Sequence, residues 1–254
     1  MSNFNTQITA AGKSSPVLPT IPCQVMVLLN GQCDSATLEL QKFPDLNKTR
    51  LDKREAMDYL QKFCKQVENS KRHLPAHWGM PEISGIRKFS AINRGRLLIN
   101  HTGGIIENSN LALHRFFGFP YIPGSALKGI ARSAATFDED TDCFKRVFGG
   151  AEKGKSDRAG SVAFLAAYPA DKNWKLVMDI LTTHHGCDTQ NPTPVPFLAV
   201  ECGATFNFMI APTARTEDGD LDFAEDYLKI ALAENGVGAK TAAGYGWFEI
   251  KECI

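Results

Sequence analysis

Short strand-like segments alternate with amphipathic helical segments along this chain, and the alternation limits the folds open to it. Apolar residues recur at helical spacing over 52–69, 125–136 and 221–234. Strands interleaved with such helices predict an α+β fold built from ferredoxin-like β-α-β-β-α-β units, with the second unit degraded. The predicted extended segments are 94–100, 111–117, 161–167, 175–181, 195–201, 204–210 and 247–251.

The first 22 residues differ in composition from the rest of the chain. They are rich in Ser, Thr, Asn and Pro, which predicts a mobile N-terminal arm. The remaining residues, 23–254, are predicted to form the folded part, with a helical insertion near 52–69. A chain of 254 residues suits one large domain or two small ones.

The charges of the chain balance. Its 28 Lys and Arg residues equal its 28 Asp and Glu residues, so the formal net charge is zero. Proteins that bind nucleic acid on their own usually carry a basic excess. If this chain binds RNA, its cations must therefore gather on one face, or neighbouring subunits must share the task.

The cysteines point to a reducing compartment. There are seven, an odd number, and no two are spaced as Cys-x-x-Cys, which argues against a disulfide framework and a zinc knuckle. The apolar run 25–29 is too short to span a bilayer. We therefore expect a cytoplasmic protein without a membrane segment, a metal site or a cofactor.

The stretch 235–246 contains four glycines, one lysine and one tyrosine between a helical and a strand-like segment. Glycine lets the backbone approach another molecule closely, and Lys240, Thr241 and Tyr245 add a cation, a hydroxyl and a ring. This combination suits RNA, although a flexible turn before the last strand is an alternative. A nucleotide-binding P-loop is excluded, because Ala239 precedes the lysine and no helix-length segment follows.

A second informative segment lies at 119–132. Prolines stiffen the approach, Gly124 turns the chain, and Ser125 is predicted to cap a helix whose free N–H groups favour a phosphate. Lys128 and Arg132 are four residues apart, on one face of that helix. The alternative is a capped surface helix with solvated cations.

These two segments together resemble the RAMP superfamily of CRISPR proteins. Members of a group within that superfamily carry the motif P-x-I-P-G-S-S-L-K-G-x-x-R, which is matched by Pro120 and by 121–132, with Ala126 in place of the second serine. A further family stretch is matched at 179–185 and 194–206, where Thr183 replaces a proline and His185 an aromatic residue. Within the superfamily the chain looks like the sixth subunits of the Cmr (type III-B) effector complexes.

The resemblance implies a RAMP fold of RRM-like units with a glycine-rich C-terminal loop. It also implies a place near the 3′ end of the guide RNA, at the end of a filament of related RAMP subunits. Phosphate contacts carry no sequence information, which fits a changing guide. The partners implied are the CRISPR guide RNA, target RNA through the complex, and other RAMP subunits. The residues predicted to contact RNA are His114, Arg115, Gly124, Ser125, Lys128, Arg132, His184, His185, Gly238, Lys240, Thr241, Gly244 and Tyr245.

His184 and His185 keep an enzymatic alternative open. Two adjacent histidines with Asp179 and Asp188 nearby would suit a repeat-RNA processing endonuclease of the same fold. The resemblance instead assigns target cleavage to the backbone subunits, so we infer no catalytic residue here. A protein-only adaptor, in which the basic residues are structural, is the third hypothesis.

Overall fold

The computed structural model describes residues 36, 37, 40, 53–70, 84–102, 109–150, 158–183 and 193–251. The predicted arm at 1–22 lies outside these residues, so its mobility stays a prediction. The helices with assigned bounds are α1 (Lys53–Ser70), α2 (Gly124–Ala134), α3 (Asp142–Phe148) and α4 (Asp220–Ile230). The strands are β1 (Arg87–Asn93), β2 (Val162–Phe164), β3 (Tyr168–Pro169), β4 (Leu176–Thr183), β5 (Thr193–Val200), β6 (Thr205–Pro212) and β7 (Phe248–Lys251).

The main sheet is antiparallel, with the strand order β2-β6-β1-β7 and with β3 also paired to β6. Helix α2 lies between β1 and β2 in the chain, and α4 lies between β6 and β7. The chain thus runs β-α-β-β-α-β through this sheet and the two helices. This mixture of helices and sheet confirms the predicted α+β class.

Phenylalanines on one face of the sheet form its core. Phe206 and Phe208 lie on the same face of β6, two residues apart, and both are fully buried. Phe248 of β7 meets both rings edge-on, with centroid distances of 5.9 and 5.5 Å. Leu127 and Leu228, one from each helix, are also fully buried in this core.

A separate two-stranded sheet is formed by β4 and β5, which pair from Leu176↔Val200 to Thr183↔Thr193. Helix α1 packs on this hairpin through an apolar stripe that contains Leu60, Phe63 and Val67. The helix predicted at 52–69 is therefore present, within one residue at each end.

The strand predicted at 94–100 is wrong. The regular strand is β1, and it ends at Asn93, whose buried side chain binds three backbone groups on both sides of the turn. Its Nδ2 donates to the carbonyls of Gly95 and Glu201, and its Oδ1 accepts the N–H of Ala204. These bonds turn the chain after Asn93. Within 94–100 the described β-pairing is therefore an isolated bridge between Leu97 and Val200.

Two helix starts differ from the sequence-based expectation. Asp222 was expected to cap the last helix, but Gly219 is its N-cap residue, with φ 86°, and Asp222 pairs with Arg87 at 2.7 Å. Helix α3 was not predicted at all, although Thr141 caps it by accepting the N–H of Phe144 at 3.2 Å.

Candidate nucleic-acid interface

The N-cap of helix α2 lies two residues earlier than predicted. Pro123 is its N-cap residue, and the Pro123 carbonyl accepts the N–H groups of Ala126 and Leu127 at 3.0 and 3.2 Å. The prediction that Ser125 caps the helix is wrong, because the fixed φ of Pro123 already sets the start. Ser125 is exposed in the first turn. The first N–H groups of a helix have no acceptor within it, so those of Gly124 and Ser125 remain for a ligand or water.

Gly124 brings this helix start against the main sheet. A Cβ at this position would lie 2.0 Å from the carbonyl oxygen of Phe164, the last residue of β2. Only glycine permits such an approach. The glycine in this motif is therefore required by packing inside the protein, whatever else the helix start binds.

Lys128 and Arg132 project from α2 without an anionic partner among the described residues. The Nζ of Lys128 lies 3.0 Å from the position that a Cβ on Gly160 would take. Arg132 places its guanidinium carbon 5.7 Å from the ring centre of Phe144. Burial, and then the charge of Arg132, lower the pKa of Lys128. A bound anion would relieve both effects.

The predicted excursion at 148–160 begins and ends beside these cations. Gly150 and Arg158 exchange two backbone hydrogen bonds of 3.1 Å each. Gly149 has φ 66° and lies so close to the Arg158 carbonyl that a Cβ would be 2.2 Å from its oxygen. Residues 151–157 lie outside the described part of the chain.

The glycine loop, 236–246, folds back on itself and on 95–99. Val237 donates to the Gly246 carbonyl at 2.9 Å, and Ala239 donates to the Leu98 carbonyl at 2.8 Å. Gly238 and Gly246 have φ of 97° and 73°, and a Cβ there would lie 2.1 and 2.0 Å from carbonyl oxygens of Leu98 and Val237. These two glycines serve close packing within the protein.

Gly244 differs from the other glycines of the loop. It has φ 89°, and a Cβ there would have no neighbouring heavy atom within 4 Å. It is exposed, as the predicted contact with RNA requires. Gly238 is exposed as well, so both predicted glycines reach the surface, but only at Gly244 is the space that a side chain would take empty.

Lys240 and Thr241 lie at the turn of the loop. Lys240 adopts φ 62°, a left-handed conformation, and its Nζ lies 5.6 Å from the ring centre of Phe197. The Thr241 carbonyl accepts the indole N–H of Trp247 at 3.0 Å. Both residues are half-buried, so part of each side chain reaches solvent.

Tyr245 is buried, which favours packing over the predicted stacking on a base. Its ring meets Phe197 edge-on at 6.0 Å, and its hydroxyl donates to Oδ2 of Asp179 at 2.5 Å. Burial, and then the hydrogen bond to Asp179, raise the pKa of Tyr245 to about 12. Tyr245 thus fixes the loop to strand β4.

A charged network beneath the loop was missed by the sequence analysis. Arg96 binds Oδ2 of Asp179 at 2.7 Å and Oε1 of Glu201 at 3.2 Å, and its carbonyl accepts the N–H of Gly246. Burial raises the pKa of Asp179, but the hydrogen bonds from Tyr245 and Arg96 outweigh it and hold that pKa below its usual value. The hydrogen bond to Asp179 is also the main cause of a raised pKa for Arg96.

The sequence did contain a signal for this network. Asp179 lies between Val177 and Leu181 on the same face of β4. Both of these apolar residues pack against the small core of Leu98, Phe197 and Tyr245. A carboxylate at an inward-facing strand position needs a partner.

His114 organises a turn. Its Nδ1 accepts the N–H groups of Phe116 and Phe117 at 3.4 and 3.3 Å, and burial lowers its pKa. Arg115 is exposed beside it. His184 and His185 lie outside the described residues, so their predicted contacts stay predictions.

The two predicted segments connect through one short helical turn. Ala231–Asn235 follows α4, packs against α2 and leads directly into the glycine loop. The two cations have different neighbours, however: the Nζ of Lys128 is next to Gly160, and the Nζ of Lys240 is next to the ring of Phe197. That the two cations share one groove remains a prediction.

Neither a metal site nor a membrane span appears in the described ranges. No group of three or more His, Cys, Asp or Glu side chains there is placed to hold a metal ion. No helix there is both long and apolar enough to cross a bilayer.

Comparison with known proteins agrees with the motifs. The model of the RAMP superfamily matches residues 92–249. The CRISPR system Cmr subunit Cmr6 of Saccharolobus solfataricus is 28% identical over 252 residues, covering 89% of this chain and 84% of that protein. Cmr6 of Pyrococcus furiosus is 27% identical over 226 residues, covering 60% of this chain and 64% of that protein.

The chains of similar fold among solved structures include one from a Cmr complex. That complex is the type III-B Cmr-beta complex bound to cognate target RNA, determined by cryo-electron microscopy, in which the matching chain is 26% identical. The TM-score is 0.56, and the match covers 80% of this chain and 67% of that one. The resemblance inferred from the two motifs is confirmed: the chain belongs to the RAMP superfamily, and its relatives there include Cmr6 subunits of CRISPR Cmr systems.

Proposed function

We propose that this chain is a non-catalytic, guide-RNA-binding scaffold subunit of a cytoplasmic type III-B CRISPR ribonucleoprotein that acts in antiviral defence. Its place would be near the 3′ end of the guide RNA, beside other RAMP subunits, with target RNA reached through the complex. The β-α-β-β-α-β run through the main sheet would be its ferredoxin-like, RRM-like unit.

The observation that carries this proposal is the pair Lys128 and Arg132 on helix α2. Both are cations without a described anionic partner, and the pKa of Lys128 is lowered by burial and by its neighbour. A phosphate beside them would be held by two charges and by the free N–H groups of the helix start. Such contacts hold an RNA backbone in any sequence.

The glycine loop would supply the second contact. Lys240 would meet a further phosphate, and the empty space beside Gly244 would let the strand approach the loop closely, while Tyr245, Asp179 and Arg96 hold the loop in place. Asp179, one of the two carboxylates near His184 and His185 in the sequence, is committed to Tyr245 and Arg96, while the other, Asp188, lies outside the described residues. This favours the non-catalytic function.

The test is the double substitution Lys128→Glu with Lys240→Glu in the assembled particle. Reversing both charges should abolish retention of the guide RNA when the tagged chain is purified, while the fold is preserved. Lys62→Glu, an exposed lysine of α1, is the matched control and should leave retention unchanged. Unchanged guide retention in the double variant would favour the protein-only adaptor.

The enzymatic alternative is tested separately. The purified chain is incubated at high concentration with repeat RNA in EDTA. We expect no cleavage, and a specific cut that disappears on replacing His184 and His185 with alanine would contradict the non-catalytic assignment.

A further inference from the structure

Two adjacent aromatic rings stand at the surface on the turn just before helix α2. Phe116 is 81% exposed and Phe117 is 46% exposed, whereas Phe89, Phe206, Phe208 and Phe248 of the main sheet are buried. The turn lies between Leu113 and Pro120, which form a β-bridge. Two adjacent exposed rings form an apolar surface patch, and such patches mark candidate binding sites.

The turn is held in one conformation. The backbone N–H of His114 donates to the Phe119 carbonyl at 2.7 Å, and the backbone carbonyl of His114 accepts the N–H of Gly118 at 2.8 Å. The same carbonyl accepts the hydroxyl of Thr37 at 2.8 Å. Gly118 has φ 70°, and Nδ1 of His114 accepts two further N–H groups of the turn. The exposure of the rings is therefore built into a fixed turn.

The rings also form an ordered stack. Buried Phe119 lies 4.7 Å from the ring of His114 at 30°, and Phe117 lies 5.0 Å from His114 at 24°. Phe117 and Phe119 are nearly parallel, at 9°. Tyr168 closes the inner end of the stack by meeting Phe119 edge-on at 5.6 Å. Phe117 is the outer ring of the stack, and the more exposed ring of Phe116 stands beside it, tilted by 53° to His114 at 6.1 Å.

We propose that Phe116 and Phe117 form a platform on which an unpaired base of a bound single-stranded RNA stacks. The chain runs from this platform through Pro120 to Pro123 into the start of α2, so only a few residues separate the platform from the proposed phosphate site. Exposed Arg115 adds a cation at the same turn. Stacking on an aromatic ring tolerates any base, as a variable guide requires.

This inference rests on the proposed function, since it takes single-stranded RNA as the ligand. It adds a contact of different chemistry. The α2 cations bind phosphates, and their loss changes the dependence of affinity on salt. A stacking ring releases no counterions, so its loss lowers affinity equally at every salt concentration.

The test measures binding of a fluorescently labelled single-stranded RNA to the full-length chain at several salt concentrations. Phe116→Ala should weaken binding by roughly 5- to 100-fold, with an unchanged salt slope. Phe116→Tyr, which keeps the ring, should restore affinity. Phe137→Ala is the matched control, because Phe137 is fully exposed on the turn Ala135–Asp138, away from the stack.

The outcomes separate this inference from the proposed function. Wild-type affinity in Phe116→Ala would overturn the platform and leave the proposed function intact. Absence of RNA binding by the wild-type chain at low salt would remove both. If Phe116→Ala binds RNA normally but no longer co-purifies with the particle, the rings contact a protein, which also overturns the platform.

Discussion

The start of helix α2 and the glycine loop look alike in sequence, since each combines glycine with lysine, but the structure uses them differently. At α2, Lys128 and Arg132 have no anionic partner among the described residues, and the first N–H groups have no acceptor within the helix. In the loop, Gly238 and Gly246 are occupied by close packing against Leu98 and Val237. Glycine in a predicted binding loop can thus serve the protein's own backbone, and an unpaired cation is the better sign of a ligand.

The largest effect should come from Gly246→Ala in the loop. The added Cβ would lie 2.0 Å from the Val237 carbonyl oxygen at φ 73°, so both strain and overlap should lower the free energy of unfolding by about 3 kcal/mol or more. Gly244→Ala is the control, because the space there is empty and only the φ of 89° is unfavourable, at a cost of about 1 kcal/mol. Urea denaturation measures both, and equal losses would contradict the packing role of Gly246.

The network beneath the loop should contribute less. Asp179→Asn removes the ion pair with Arg96 and weakens the bond to Tyr245, and we expect a loss of about 1–2 kcal/mol at pH 7, since Arg96 is more than a third exposed. Urea denaturation against the wild type checks the value. No loss would mean that the network does not stabilise the loop.

The difference in unfolding free energy between the wild type and Asp179→Asn should also depend on pH. The pKa of Asp179 is lower in the folded protein than in the unfolded chain, so its stabilisation is fully present above the unfolded value of about 4 and is lost as pH falls below it. The difference in stability between wild type and Asp179→Asn should therefore be constant from pH 5 to 7 and shrink below about pH 4. A difference that persists unchanged at pH 2–3 would show that the carboxylate charge is not responsible.

The smallest change in stability should come from Lys128→Ala on α2. Lys128 has a pKa lowered by burial and has no described ionic partner, so its removal should change stability by less than about 0.5 kcal/mol. Its effect should instead appear in RNA binding, where the salt slope should fall by about 0.7 for the lost phosphate contact. A large loss of stability with an unchanged salt slope would contradict the account, because Lys128 would then serve the fold and not RNA binding.

Local patterns explain what the sequence could predict. The alternation of Phe206 and Phe208 predicted a half-buried strand, and the apolar stripes predicted α1, α2 and α4, because these signals lie within one element. The start of α2 was displaced only by Pro123, which sets the helix entry before Ser125 can act as a cap.

Features that depend on contacts distant in the sequence were missed. The end of β1 is set by the bonds of Asn93 to residues more than 100 positions away, Glu201 and Ala204. Whether Gly246 faces a ligand or Val237, and whether Tyr245 stacks on a base or binds Asp179, is decided by tertiary packing. The residues at these positions would be the same whether they contacted RNA or the rest of the protein, so the sequence does not distinguish the two.

The central claim is that the α2 start and the glycine loop bind the same RNA strand. Hydrogen–deuterium exchange of the full-length chain, with and without a single-stranded RNA bound one to one, tests it most directly. We expect slower exchange in both 124–132 and 236–246 when RNA is bound, and little change in α1. Protection confined to one of the two segments, or to neither, would contradict a single shared groove.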